Sequence, residues 1–248
     1  MIGDVVITNM QKEIIKTPVG DLVPFYEISD GRQKNRPSVE YFKGGALYSI
    51  YLQEQTEIQT PLGKVPAELI TFYESGAIKR IFPLYGQLSG FWTEDQEYEL
   101  ATDIEFNLQG EMKKVKPMCL YFYESGQLAS ITIWPKERLT VHTPYGDITT
   151  DLGVEFYESG EIKSVEPVLG SILRLPKSEK FRVEPLIQSS DGVTNWNDGV
   201  LYPYYSMAFR MHANDNSLKF EKDGRIAGIR TVPLYKYKKY VEKTRIAI

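Results

Sequence analysis

Apolar and polar positions in this chain fall into a block that recurs. Its clearest form is Phe72-Tyr73-Glu74-Ser75-Gly76-Ala77-Ile78-Lys79-Arg80-Ile81. Phe-Tyr-Glu-Ser-Gly returns unchanged at 122–126 and 156–160, and looser copies lie at Tyr41–Ile50, Phe106–Val115 and Phe220–Ile229. Aligned on their glycines, Gly45, Gly76, Gly110, Gly126, Gly160 and Gly224, all six begin with an aromatic residue. An aliphatic residue or Met follows two positions after the glycine, and a second aliphatic three beyond that. An aromatic pair, a polar tip, a glycine and an aliphatic run is a hairpin signal. The pattern predicts a three-residue loop, with Glu74 and Ser75 in a type I turn and Gly76 at positive φ. Ile78 and Ile81 stand three apart, which simple alternation sends to opposite faces. Either a bulge restores them to one face or both faces of the sheet are covered.

A second turn fills the gaps between copies. Thr17-Pro18-Val19-Gly20, Thr60-Pro61-Leu62-Gly63 and Thr143-Pro144-Tyr145-Gly146 share one pattern. Pro pre-sets φ and Gly supplies the left-handed residue. The glycines of the first turn recur at near multiples of a step of about 16 residues, the mark of a repeat architecture. The elements predicted are therefore strands joined by two kinds of turn: Val5–Ile15, Leu22–Ile28, Val39–Phe42, Ala46–Gln59, Lys64–Tyr73, Ala77–Leu84, Leu120–Tyr123, Gln127–Trp134, Leu139–His142 and Val154–Tyr157. Ala46–Gln59 is long enough to be a bent strand. Ser29–Pro37 reads as a loop. The acidic Glu94–Glu105 reads as a solvated insertion or polar face, and lacks the ligand spacing of an EF-hand Ca²⁺ loop. No amphipathic helix of useful length is visible.

The pattern changes after Gly170. Ile172–Pro185 is basic, Gln188–Gly199 reads as a long loop, and Leu201–Met211 returns to strand character. Leu218–Val232 holds the sixth hairpin. Two regions result: a hairpin array over 1–175, and an atypical C-terminal capping region over 176–248 that contains the hairpin at 220–229. Repeat arrays need such atypical ends to cover exposed edges.

Phe72-Tyr73-Glu74-Ser75-Gly76-Ala77-Ile78-Lys79 followed by Tyr85-Gly86-Gln87-Leu88-Ser89-Gly90 resembles the bacterial variant of the MORN repeat. The resemblance covers roughly Pro37 to Gly170. Ser75, Ser125 and Ser159 stand where that variant usually has Asn, and the Thr-Pro-x-Gly strands are not part of its pattern. The resemblance implies an all-β fold, an elongated antiparallel sheet of stacked β-hairpins, of the kind found in antitoxin-like and uncharacterised bacterial proteins.

Composition adds limits rather than a role. The 42% hydrophobic and 25% charged fractions are ordinary for a soluble protein. Tyr is abundant, at 17 residues against 11 Phe, which favours strands. No apolar run reaches the length of a membrane helix, and Met1-Ile2-Gly3-Asp4 does not open like a signal peptide. The single Cys119 excludes an internal disulfide and suits a reducing, cytoplasmic compartment. A net charge of −4 argues against a general nucleic-acid surface.

Catalytic chemistry is sparse. The only histidines, His142 and His212, have no zinc spacing with each other or with Cys119. There is no phosphate-binding glycine loop and no G-x-S-x-G elbow. The thrice-repeated Glu-Ser pair reads as turn chemistry, since a catalytic Ser needs a positioned base. His142 reads as a strand residue at a turn edge. Trp92, Trp134 and Trp196 read as core or face aromatics. The tail, with Lys236, Lys238, Lys239, Lys243 and Arg245, reads as an edge-strand guard or a contact for an anionic partner or membrane surface. No catalytic, cofactor-binding or metal residue is assigned, and no cofactor.

Three functions are compatible with this reading. The first is a non-enzymatic protein-interaction or scaffold module whose partner is another protein. Alternation would place Phe72, Phe122 and Phe156 on the packed face and Tyr73, Tyr123 and Tyr157 on the other, which is either open, where a row of tyrosines suits recognition, or covered by the terminal segment. The second is a lipid- or glycan-surface binder using Tyr, Trp and Lys. The third is an enzyme with its site in 172–248, built from residues such as Asp191, Asp198 and His212.

Overall fold

The computed structural model describes residues 13–27, 32–33, 37–85, 87–88, 94–168, 171–174, 181–183, 193–194, 198–201, 216–229 and 231–232. The chain is all-β, as the alternating pattern predicts, and forms two compact units, Met1–Trp134 and Pro135–Ile248.

The first unit contains β1 (Ile15–Thr17), β2 (Gly20–Leu22), β3 (Arg32–Gln33), β4 (Val39–Tyr41), β5 (Leu47–Thr60), β6 (Gly63–Phe72), β7 (Ile78–Phe82) and β8 (Gln87–Leu88). A short helix, α1 (Glu94–Leu100), precedes β9 (Ile104–Leu108), β10 (Glu111–Val115), β11 (Pro117–Phe122) and β12 (Leu128–Ile133). β4, β5, β6, β7, β11 and β12 lie side by side in that order, each antiparallel to the next. One row of side chains crosses all six strands: Val39, Ile50, Ile70, Ile81, Leu120 and Ile131 stand directly opposite one another in turn. The last five are fully buried. Burial of each contributes about 1.5–3 kcal/mol relative to exposure.

The other face is packed as well. Tyr51, Leu69, Phe82 and Cys119 form a cluster with Phe25, and Tyr85 packs against it. The Tyr85 ring lies 4.9 Å from Tyr51 and 5.3 Å from Phe82, between centroids. Near-continuous burial along a strand, as in β6, is what covering both faces demands.

Both readings of the Ile78–Ile81 spacing hold together. Tyr73 N–H donates to Ala77 O and Gly76 N–H to Tyr73 O, which closes the predicted three-residue loop. Phe72 then faces Ile78, but Thr71 faces Arg80, so Lys79 is an extra residue. This bulge brings Ile78 and Ile81 to one face. The same slip follows Tyr41↔Leu47, Phe122↔Leu128, Phe156↔Ile162 and Phe220↔Ile226. Gly45, Gly76, Gly126, Gly160 and Gly224 all have positive φ.

The copy at Phe106–Val115 is a different object. Gly110 has positive φ, but so does Gln109, at 55°. Only these two residues separate Leu108 from Glu111, and the register runs unbroken from there to Ile104↔Val115. β9 and β10 form a two-stranded hairpin of their own. A two-residue loop with both residues at positive φ matches strand twist without a bulge, so 106–115 does not belong with the other five.

The Thr-Pro-x-Gly turns close three hairpins, β1–β2, β5–β6 and one in the second unit. Their threonine bridges the turn. Thr60 Oγ1 accepts from Leu62 N–H at 3.1 Å and donates to Gly63 O at 2.9 Å. Thr17 and Thr143 do the same. The 14-residue β5 is irregularly paired: between Tyr51↔Leu69 and Thr56↔Ala67 it carries extra residues that β6 lacks.

The second unit contains β13 (Leu139–Thr143), β14 (Gly146–Phe156), β15 (Ile162–Pro167), β16 (Ile172–Arg174), β17 (Phe181–Val183), β18 (Val193–Thr194), β19 (Asp198–Leu201), β20 (Leu218–Phe220), β21 (Ile226–Ile229) and β22 (Thr231–Val232). β14, β15, β20, β21, β17 and β18 follow one another in space, β13 pairs with β14, and β16, β19 and β22 make a separate small sheet. Val154, Val165, Leu218 and Ile229 form the matching buried row. β17 runs parallel to β21, an exception to the antiparallel expectation.

Two expectations need correction. Gln188–Gly199 is not loop throughout, because β18, on the β-favouring pair Val193-Thr194, and the start of β19 fall inside it. Ser29–Pro37 is not loop throughout either, because β3 lies inside it and pairs with β8. Glu94–Glu105, read as a solvated insertion or polar face, contains α1 and the start of β9. Trp92, Trp196, Asp191, His212 and the basic tail lie outside the described residues, as do Val5–Ile15 up to residue 12 and most of Leu201–Met211.

Candidate functional site

The aromatic at the start of each repeat is buried at Phe72, Phe122, Phe156 and Phe220, as alternation requires. The tyrosines after the first three, Tyr73, Tyr123 and Tyr157, are half-buried rather than free. Tyr73 Oη donates to Phe122 O at 2.9 Å, and Tyr157 Oη to Phe220 O at 2.8 Å. Each therefore crosses to the main chain of a neighbouring hairpin. Burial, reinforced by a hydrogen bond with Tyr121, holds the Tyr73 phenol above the usual tyrosine range. Burial also raises Tyr157. A lysine lies over each ring, Lys79 at 5.2 Å from Tyr73 and Lys222 at 5.6 Å from Tyr157. Tyr123 is half-buried and has a partner of its own. Tyr73 and Tyr157 thus spend their hydroxyls on joining hairpins.

The two turn types meet. A Cβ placed on Gly76 would stand 3.3 Å from Pro18 Cγ, and one on Gly126 would stand 3.3 Å from Pro61 Cγ. In the second unit a Cβ on Gly224 would come within 2.9 Å of Pro144 Cγ, and the Tyr145 ring stacks on Phe220. Thus each proline sits on a Ser-Gly or Asp-Gly turn, where a side chain would obstruct it. The tips of the Glu-Ser-Gly turns are exposed at Glu74, Ser75, Glu124, Ser125, Glu158 and Ser159, although no proline sits on Gly160. Glu74 leans towards the preceding turn, its Oε1 3.1 Å from where a Gly44 Cβ would be.

A polar row missed in the sequence runs one position before each aromatic. Glu40, Ser49, Thr71, Arg80, Tyr121 and Ser130 stand opposite one another across the first unit. They share the face of Tyr51 and Phe82. Reading four residues beyond each turn glycine would have found it: Ser49, Arg80, Ser130 and Ser164 occupy that position, but without the bulge their face is undefined. Arg80 lies over the Tyr121 ring, 5.3 Å from its centroid. Within the second unit, Glu155 and Ser164 make a corresponding pair beside a buried network. Glu166, wholly buried, accepts from Ser217 N–H at 2.7 Å and Ser217 Oγ at 2.8 Å, and Asn216 Nδ2 donates to Ser164 Oγ. A buried carboxylate with both oxygens hydrogen-bonded is a structural element.

The nucleophilic candidates are spoken for. Burial pushes the Cys119 thiol up to about 12, which keeps it protonated and unreactive. His142 sits on β13 beside its turn and meets Asp147 across the hairpin, Nδ1 to Oδ1 at 2.7 Å, with both exposed. Ser75 Oγ accepts weakly from Ala77 N–H, inside its own turn. Trp134 is buried with its ring edge-on to Tyr98. Among the described residues no group of His, Cys, Asp and Glu is arranged to hold a metal ion, and no helix is long and apolar enough to cross a membrane. No protein-family model, no curated protein and no solved structure matches the chain.

Proposed function

We propose that the chain is a MORN-like hairpin array serving as a non-enzymatic interaction or scaffold module, in a reducing, cytoplasmic setting, with another protein as partner. One observation carries this reading. The recurring residues of each hairpin are used to hold the next one: tyrosine hydroxyls reach neighbouring carbonyls, and prolines seat on turn glycines. What each hairpin offers outward is its polar tip, with Glu74-Ser75 and Glu124-Ser125 in the first unit and Glu158-Ser159 in the second. Repeats that bind one another and display their tips make a surface for a partner. Acidic tips beside half-exposed tyrosine rings suit a basic protein surface, since opposite potentials guide encounter.

The test is affinity capture with quantitative mass spectrometry, comparing the full chain with Glu74→Lys/Glu124→Lys. These exposed tips should tolerate the change to within about 0.5 kcal/mol of stability. A partner enriched by the unaltered chain and lost with the variant is the expected outcome. Equal capture by both, with the fold intact, would move the binding surface elsewhere.

A further inference from the structure

The polar row one position before the repeat aromatics closes on its own charges in two hairpins. Ser49 Oγ donates to Glu40 Oε2 at 2.6 Å. Glu155 receives Lys163 Nζ at 2.7 Å and Ser164 Oγ at 2.9 Å. Arg80 holds the corresponding place on β7, and among the described residues no carboxylate pairs with it. Its Nε is buried without a hydrogen-bond partner. Directly across the strand pair, Thr71 is 9% exposed and its Oγ1 is likewise buried and unpartnered. Arg80 as a whole is only half-buried, so part of its side chain is reachable from solvent.

Guanidinium groups only donate, and a threonine hydroxyl also has a proton to give. Two such donors facing each other on one side of a sheet are satisfied together by an acceptor bearing several lone pairs. Buried donors left alone are costly, and charge-assisted bonds are the strongest replacement. The Tyr121 ring centroid lies 5.3 Å from the guanidinium carbon, and the planar fork of guanidinium donors suits a flat or tetrahedral oxyanion better than a point acceptor. The positive charge is felt locally: Arg80 counteracts the burial that raises both Cys119 and Tyr73. We propose that Arg80 and Thr71 form a binding site for a small oxyanion, a carboxylate or a phosphate, on this face of the first unit.

The test is a titration of the full ¹⁵N-labelled chain with inorganic phosphate and, separately, with acetate at constant ionic strength, following the backbone amide signals at positions 71, 80 and 121, which every variant keeps. Saturable movement with either anion is expected, and the lower half-saturation point tells phosphate from carboxylate. Arg80→Lys keeps the charge but loses the fork, and should raise half-saturation about tenfold. Thr71→Val should raise it about threefold or more. With no anion present, Thr71→Val should melt at the same temperature as the parent or higher, because its hydroxyl has no partner to lose. Movement that stays linear for both anions, or half-saturation unchanged in Thr71→Val, would overturn the proposal. The Thr71→Val result decides even where an Arg80 variant folds poorly.

Discussion

At the scale of single residues, the glycines were the most legible feature of the chain. Their positive φ follows from the tip chemistry alone. What neighbours them does not, and that difference is measurable. Gly45 has open space where a Cβ would go, whereas Gly224 faces Pro144 at 2.9 Å. Gly45→Ala should cost about 1–2 kcal/mol, the left-handed penalty alone. Gly224→Ala should cost at least about 1 kcal/mol more, because Pro144 must move. Urea denaturation of the two variants checks the order. Cys119 offers a pH test. Its folded pKa, about 12, lies above the ordinary 9.0 of a free thiol. Below about pH 9 the thiol is protonated whether folded or not, and its contribution is fully present. As pH rises towards about 12 the unfolded chain ionises first, so stability falls. The parent should lose more stability between pH 8 and about pH 10 than Cys119→Ala does. A native thiol-labelling rate that matches a free cysteine would contradict the burial on which this rests.

At the scale of elements, the sequence located the hairpins and their tips but merged two kinds of turn. Aligning Phe106–Val115 with the others relied on an aromatic four residues before a glycine, a spacing both turn types can satisfy. Loop length and register separate them, and these depend on pairing. Gln109 is left in a conformation that costs a residue bearing a Cβ. Gln109→Gly should therefore stabilise the protein by about 0.5–1 kcal/mol despite added freedom in the unfolded chain, as read by thermal melting. The Thr-Pro-x-Gly turn makes the opposite prediction. Thr60→Val removes the hydroxyl that bridges Leu62 N–H and Gly63 O, and should cost about 1 kcal/mol. That β5 is a long strand was legible, but the position of its extra residues, between Tyr51 and Thr56, was not.

At the scale of the whole molecule, the hairpin tyrosines link elements far apart in sequence, with Tyr73 reaching Phe122 and Tyr157 reaching Phe220. Each belongs to a different compact unit. Tyr73→Phe and Tyr157→Phe should each cost about 1 kcal/mol, the net value of one hydrogen bond. Because the two bonds share no partner, the double variant should lose the sum to within about 0.5 kcal/mol. A clear excess over the sum, measured in the same denaturant series, would show that the two links are coupled.

The amino-acid sequence by itself determined the strand-rich class, the places where the chain reverses and the residues that must sit inside. Those properties are local: alternation, turn chemistry and the conformational freedom of glycine act within a few residues of where they are written. The tertiary structure alone decided which side chains share a face. One extra residue in each of five hairpins, such as Lys79, reverses the alternation after it, so Arg80 joins Thr71 and Tyr121 rather than Ile70. It also decided that the repeat tyrosines are hydrogen-bonded links, since the carbonyls they reach are supplied by hairpins dozens of residues away.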